Sequence, residues 1–193
     1  GFHFMFEKPQ LEKLRQQQAA AGKQAVVTAV KNDAVTSLRP RAEVVSEVRR
    51  IPVKGSKVEG SLSLKGGMID DVLLTEHYAT LEKKDHVALL SPAGTRGAEY
   101  VQTGWISDAQ GVVTPGSDTV WTLAPGSASE LSEGGAPVRL MWNNGHGLTF
   151  ERVFSFSESY LFNVTERVTN ATGQSVRLHP YRTVSRTGLP ADF

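Results

Sequence analysis

Apolar and polar residues alternate in two adjacent runs in the second quarter of the chain. The runs are Val58–Lys65 and Met68–Leu74, and Gly66-Gly67 separates them. A period of two residues is that of a β-strand with one buried face. A Gly-Gly pair supplies the positive φ angles that a tight turn needs. This segment is therefore predicted to be a β-hairpin near the start of an antiparallel sheet.

Further strand-like runs lie on both sides of this hairpin. Val44–Val53 is predicted to be the first strand. Short apolar runs follow the hairpin at Val87–Leu90, Tyr100–Ile106 and Val120–Leu123. A four-stranded meander is predicted from the clearest alternations, at Val138–Trp142, Leu148–Phe156, Tyr160–Thr169 and Val176–Ser185. Runs at this spacing, with turn residues between them, predict an all-β fold, a sandwich of antiparallel sheets. A sandwich that stopped at Phe193 would leave an unpaired strand edge, so the chain is expected to be a fragment of a larger β domain.

The N-terminal part has a different pattern. Gly1–Phe6 is almost wholly aromatic and apolar, and the chain then turns polar. This change is typical of the interfacial end of a membrane helix, with a core strand or a cloning remnant as the alternatives. Gln10–Gln24 is rich in helix formers but has few apolar positions, and Ala25–Arg39 has no sustained period. We therefore predict the end of a membrane helix at 1–6, a helical or disordered tether at 7–41 and the β domain at 42–193.

Composition excludes several classes of function. The 193 residues carry a net charge of +1, which gives no reason to expect nucleic acid as a partner. The chain has no cysteine, which excludes disulfides, thiolate metal sites and thiol catalysis. No run of eighteen apolar residues is present, so the sequence contains no complete transmembrane helix.

The ionisable residues do not form a pattern that is typical of catalysis. The histidines neither pair at helical spacing nor form a spaced ligand set, so no metal site is predicted; they are His3, His77, His86, His146 and His179. Neighbouring carboxylates on a strand point to opposite faces, so Asp70 and Asp71 are not expected to act as an acid–base couple. One is expected in solvent, and the other is expected to accept backbone hydrogen bonds near the turn. Glu151 and Glu166 lie on successive strands and could meet, but no nucleophile accompanies them.

The remaining candidates are aromatic residues and short motifs. Trp105, Trp121 and Trp142 are interpreted as core and rim residues, with a carbohydrate-binding cleft as the alternative. Asn163 and Asn170 begin glycosylation-like triplets and are interpreted as ordinary strand and turn residues. GxSxG, P-loop and GxGxxG signatures are absent from the sequence. No catalytic, cofactor-binding or metal-ligating residue is assigned.

The hairpin and the runs after it resemble a known family. The segment from Arg49 to Leu74, with GSLSLKGGMIDDVLL, is similar to the opening of the large periplasmic domain of the YidC membrane-protein insertases of Gram-negative bacteria. The order of later segments fits the same domain, among them VRLMW, GLTFERVF and YLFNVT. The resemblance covers roughly Val44–Pro190 and is closest to the alphaproteobacterial form.

The resemblance implies a fold and a role. The fold would be an antiparallel β-supersandwich like that of galactose mutarotase, lacking its C-terminal part here. The domain would face the periplasm from the bacterial inner membrane and would act, without enzymatic activity, as scaffold and interaction surface. Implied partners are nascent membrane proteins and the Sec translocon components SecDF and SecYEG. The membrane region with the insertase groove lies outside this chain, so no groove residue can be assigned. Two alternatives stay open: a sugar-binding or epimerase-like module of the mutarotase superfamily, and a periplasmic chaperone that holds apolar segments.

Overall fold

One short helix precedes eleven β-strands in the part of the chain that the structure describes. The computed structural model describes residues 38–78, 86–95, 98–158 and 160–186. The chain divides between Leu38 and Arg39 into two units, and everything below concerns the second. The predicted membrane-helix end at 1–6 and nearly all of the tether lie outside the described residues. Among those residues, no helix combines the length and the apolar character that a membrane crossing requires.

The elements follow one another in a simple order. Helix α1 spans Arg41–Ser46. The strands are β1 (Arg50–Lys54), β2 (Val58–Ser63), β3 (Met68–Tyr78), β4 (His86–Leu90), β5 (Glu99–Ser107), β6 (Thr122–Leu123), β7 (Leu131–Ser132), β8 (Val138–Asn143), β9 (Leu148–Glu158), β10 (Leu161–Asn170) and β11 (Leu178–Arg186).

The predicted first strand is wrong over its first half. Val44 and Val45 lie in α1, and β1 begins only at Arg50. The valines at 44, 45 and 48 are spaced as one face of a helix, because residues four apart lie above one another. Pro40 stands at the N-cap with φ −56°, and Glu43 lies in the first turn, where a negative charge is favourable. The high β propensity of valine favours a strand prediction here, although the spacing is that of a helix.

The predicted hairpin is confirmed. Strands β2 and β3 pair antiparallel, and the turn residues Gly66 and Gly67 have φ values of 82° and 61°. The register places Asp71 opposite Ser61 and Ile69 opposite Leu62, so Asp70 is the additional residue of a β-bulge. A bulge twists the strand and changes the direction in which its side chains point.

Two sheets face each other across one core, which confirms the predicted all-β antiparallel sandwich. The first sheet has the order β4-β3-β2-β1-β7, in which only the short β1–β7 pair is parallel, and the second has the order β10-β9-β8-β6. The first sheet and its turn contribute Ile51, Val53, Val58, Leu62, Leu64, Ile69 and Val72 to the core. The second contributes Val138, Leu140, Leu148, Phe150, Phe154 and Phe156.

The predicted four-stranded meander is only partly correct. Strands β8, β9 and β10 are consecutive antiparallel neighbours, but β11 pairs with β5 in a separate two-stranded sheet. Gly104 faces Tyr181 across this pair, and a Cβ at position 104 would lie 2.6 Å from Cζ of the tyrosine ring. Alternation along β11 predicts that it is a strand but cannot identify its partner, which here depends on this close approach.

The Gly-Gly turn offers a test of how tightly the hairpin packs. Gly145→Ala introduces a side chain at φ 74° with no atom within 4 Å, and we expect a loss of about 1–2 kcal/mol in the free energy of unfolding. Gly67→Ala, at φ 61°, also places its Cβ 2.8 Å from the Trp121 ring. We expect it to cost about 1–3 kcal/mol more than Gly145→Ala because the core has no space for it. Urea unfolding measures both, and equal losses would contradict this packing.

Candidate functional site

Arg152 occupies a position in β9 that the strand pattern assigns to the core. The side chains at 148, 150, 154 and 156 on the same face are buried and apolar. Arg152 itself is only 2% exposed. A buried guanidinium is tolerated only when its N–H groups are satisfied and its charge is paired.

Every N–H group of the Arg152 guanidinium has an oxygen within reach. Nη1 donates to the carbonyl oxygens of Gly66 at 3.0 Å and Gly67 at 2.8 Å. Nη2 donates to the carbonyl oxygen of Thr103 at 3.1 Å, and both Nε and Nη2 lie 2.5 Å from Glu166 Oε1. The guanidinium carbon also lies 4.6 Å from the ring centroid of Trp121. Burial lowers the pKa of Arg152, and the carboxylate of Glu166 opposes that shift.

This guanidinium connects three sheets. Its partners come from the β2–β3 turn, from β5 and from β10, while Arg152 itself belongs to β9. The arrangement uses all five donors in holding the sandwich together, so its role is structural.

Glu151 and Glu166 do not meet. The register places Glu166 opposite Arg152 and Glu151 opposite Arg167, so the two carboxylates lie on opposite faces of the sheet. Glu151 Oε1 accepts a hydrogen bond from Arg139 Nε at 3.3 Å. The expectation that the two carboxylates could meet is therefore wrong.

Asp70 and Asp71 are both buried, so the expectation that one lies in solvent is wrong. Each is 7% exposed, and each has its own arginine. Asp70 Oδ1 accepts from Arg50 Nη1 at 2.6 Å, and Asp71 Oδ1 accepts from Arg41 Nε at 2.9 Å. Ser61 Oγ donates to Asp71 Oδ2 at 2.6 Å. The bulge at Asp70 brings both carboxylates to buried positions, which strict alternation would not allow.

Burial raises the pKa of Asp70 above its usual value, and the hydrogen bond and positive charge of Arg50 oppose the shift. The folded domain therefore holds a proton on Asp70 more tightly than the unfolded chain does.

The histidines are dispersed in the described part of the chain. His146 lies in the exposed turn after β8, as predicted. His179 lies on β11, with Nε2 2.7 Å from Asp108 Oδ2 at the surface. His86 and His77 lie on β4 and β3, and His3 lies outside the described residues. Within the described residues, no group of three His, Cys, Asp or Glu side chains could hold a metal ion.

The tryptophans and the asparagines lie where they were predicted. Trp121 is 1% exposed in the core, whereas Trp105 and Trp142 are half-buried at its margin. Asn163 is exposed on β10. Asn170 ends that strand, and its Nδ2 donates to the carbonyl oxygen of Gln174 at 2.6 Å across the following turn.

Sequence reasoning missed the three arginines that organise the buried charge. Arg152 had a signal, because a cation interrupts an otherwise apolar face of an alternating strand and implies an acidic partner on a neighbouring strand. Arg41 and Arg50 had no such signal. Their partners lie 30 and 20 residues away along the chain, and the pairing depends on the bulge.

Removal of the Arg152 side chain tests its structural role. Arg152→Met leaves Glu166 and three carbonyl groups without their donor, and we expect a loss of about 3–5 kcal/mol in the free energy of unfolding. The control is Arg139→Met, which removes the more exposed pair with Glu151 and should cost at most about 1 kcal/mol. Arg152→Lys keeps the charge but lacks the forked guanidinium, so its loss in the free energy of unfolding should lie between those of Arg139→Met and Arg152→Met. It supplies the measurement if Arg152→Met does not fold. Equal losses in the methionine variants would contradict a central role.

The pH dependence of stability tests the environment of Asp70. Because its folded pKa is raised, its contribution to stability is complete below its ordinary pKa of 3.8 and is lost as the pH rises through the raised value. The difference in unfolding free energy between the natural chain and Asp70→Asn should therefore fall between pH 3 and pH 7. Urea titrations across that range measure it, with the exposed Asp118→Asn as control. A difference that is constant or rises with pH would contradict the shift.

Comparison with known proteins connects this architecture to a family. The family described as the YidC periplasmic domain matches residues 50–192, from β1 to beyond β11. The chain is 35% identical over 193 residues to the membrane protein insertase YidC of Cereibacter sphaeroides, covering 98% of this chain and 30% of that protein. It is 35% identical over 194 residues to that of Granulibacter bethesdensis, covering 97% and 32%. It is 45% identical over 139 residues to that of a Ruegeria species, covering 70% and 22%.

The chain thus spans about a third or less of the curated relatives that it matches. The matched residues begin at the first strand of the sandwich and include the Gly-Gly hairpin, the bulge at Asp70 and Arg152. The resemblance seen in the sequence is confirmed, and the chain belongs to the YidC periplasmic domain family.

Proposed function

We propose that this chain is the periplasmic part of a membrane-protein insertase and chaperone that assists the insertion and folding of inner-membrane proteins. Within that protein it acts as a scaffold and interaction surface, not as an enzyme. The observation that carries the proposal is the family match over residues 50–192, which covers all eleven described strands. Membership of the family places the domain on the periplasmic side of the inner membrane.

The attachment to the membrane is part of the proposal. Residues 1–6 are the periplasmic end of a transmembrane helix, residues 7–41 are the tether, and the β domain begins at 42. The aromatic cluster Gly1–Phe6 supports this assignment, because aromatic rings concentrate at the headgroup level of a bilayer.

The use of buried charge supports a scaffold role. Asp70, Asp71 and Glu166 each accept hydrogen bonds from an arginine within the domain. A general acid or base must keep a proton position available to a substrate. Carboxylates that are engaged in this way stabilise the sandwich instead.

The partners that we propose are nascent membrane proteins and the Sec translocon, both SecDF and SecYEG. A peptide or a partner strand can pair with an exposed strand edge through backbone hydrogen bonds. Among the described strands β11 pairs only with β5, which leaves its other edge available, and on the face of this sheet Val101 lies opposite Val184, which is 68% exposed.

A capture experiment tests the partner. The immobilised chain should retain the purified periplasmic region of SecDF, and an unrelated β-sandwich of similar size is the control. Val184→Lys should reduce retention because it places a charge on the proposed surface, while Val113→Lys, on an exposed loop, should not. Equal recovery on the unrelated sandwich would exclude this partner.

A second candidate function, a sugar-binding or epimerase-like module, is favoured by one feature. A depression of about 400 Å³ between β5–β11 and β10 is lined by Trp105, Tyr181 and Glu166. Aromatic rings beside a carboxylate suit a sugar ring, although Arg152 engages this carboxylate. Isothermal titration with monosaccharides distinguishes the two functions. Saturable millimolar binding that Trp105→Ala abolishes would favour the sugar site, and its absence would favour the scaffold.

A further inference from the structure

We propose that residues 39–49, here called the strap, form a releasable segment that two arginine side chains fasten to the sandwich. Opening of the strap leaves the two-sheet core folded. The inference concerns the conformation of this chain and goes beyond the proposed function.

The strap contributes no buried side chain. Helix α1 is six residues long, and none of its residues is buried. The core cluster of the described residues begins at Ile51, after the strap ends. A helix this short is not stable in water without tertiary contacts. Its ion pairs from Arg39 to Glu43 and Glu47 lie within the strap and are exposed, so they cannot hold it on the sheet. One backbone hydrogen bond joins each end of the strap to the sandwich: Arg39 N–H donates to the Gly94 carbonyl, and Leu64 N–H donates to the Arg49 carbonyl.

Arg41 is the first fastener. Its guanidinium donates to Asp71 Oδ1 on β3, to Ser91 Oγ at 2.8 Å and to the carbonyl oxygen of Leu90 at 2.7 Å. The side chain of Asp71 is 10% exposed, so this pair is partly protected from solvent. One side chain thus attaches the start of α1 to two elements of the first sheet.

Arg50 is the second fastener, and it reaches the other end of the helix. Its Nε donates to the carbonyl oxygen of Val45 at 3.0 Å, while its Nη1 donates to Asp70. The carbonyl of Val45 is near the C-terminus of α1, where a cation is favourable. The two arginines therefore hold both ends of the helix onto the adjacent carboxylates of the bulge.

The surface beneath the strap is incompletely packed. A cavity of about 340 Å³ separates Val44 and Val48 of the strap from Met68 and Tyr100 of the sandwich. Segments with few buried apolar contacts open locally at a lower free energy than the core does. The strap has that character, whereas β1, which follows it, carries the buried Ile51 and Val53.

Opening changes the reach of the chain. The eight residues 42–49, when extended, span up to roughly 28 Å and would add to the tether at 7–41. This consequence depends on the proposed membrane anchor. The opening of the strap does not depend on the anchor. A failure of the anchor proposal and a failure of the strap proposal can therefore be told apart.

Native-state hydrogen exchange on the 193-residue chain tests the strap. The amides of Glu43 and Val44, which donate to the Pro40 carbonyl, report on α1. They should exchange faster than the amides of β9 in the natural chain. Arg41→Gln should accelerate them about ten- to a hundred-fold, because losing charge-assisted hydrogen bonds raises the free energy of the closed state relative to the strap-open state. Arg49→Gln, an exposed neighbour, is the control and should change neither.

A second variant avoids disturbing Asp71. Ala42→Gly lies on the exposed side of α1 and should accelerate the strap amides about fivefold through its lower helix propensity. Gly145→Ala, which weakens the sandwich whether the strap is closed or open, should accelerate the β9 amides about five- to thirty-fold and leave the strap amides unchanged. Equal acceleration of the strap and β9 by Gly145→Ala would mean that the strap unfolds only with the core, and it would overturn the proposal. No acceleration of the strap amides by Arg41→Gln would exclude Arg41 as a fastener and would overturn it as well.

Discussion

The sandwich depends on a cation placed where its strand pattern calls for an apolar residue. Arg152 lies within the apolar face of β9, and its desolvation would be prohibitive without complete pairing. That requirement constrains its surroundings. Gly67 must have no side chain because Trp121 and Arg152 lie against it, and Glu166 must lie on the adjacent strand. The carbonyl of Thr103 must approach from β5, so the same guanidinium also fixes where the two-stranded sheet joins the sandwich.

The sequence predicts those parts of the fold that are determined locally. Alternation along β9 and the Gly-Gly turn depend on residues close together in the chain, and both are present as predicted. The partner of β11 depends on the fit of Tyr181 over Gly104, which lie 77 positions apart, and alternation contains no information on it. The valines of α1 predict a strand by their β propensity, whereas their spacing fits the helix that the structure shows.

The site was predicted less well than the fold, for an electrostatic reason. Asp70 and Asp71 each pair with their own arginine, and their burial could not be predicted because it depends on a bulge and on distant arginines. In this domain the buried carboxylates stabilise packing. Such pairs are costly to break and contribute little beyond what an apolar pair would, so their value is in specifying one arrangement of the strands.

The buried arginines also establish a gradient of stability through the domain. Arg152 is enclosed by both sheets, and its bonds can break only when the core opens. Arg41 is at the margin, with its side chain 23% exposed, and water can replace its bonds while the sheets remain paired. Both arginines make charge-assisted hydrogen bonds, but those of Arg152 are permanent and those of Arg41 are reversible. The difference is the degree to which each guanidinium is desolvated. Because the reversible junction lies at the N-terminal end of the sandwich, the domain can remain rigid while the segment leading into it changes length.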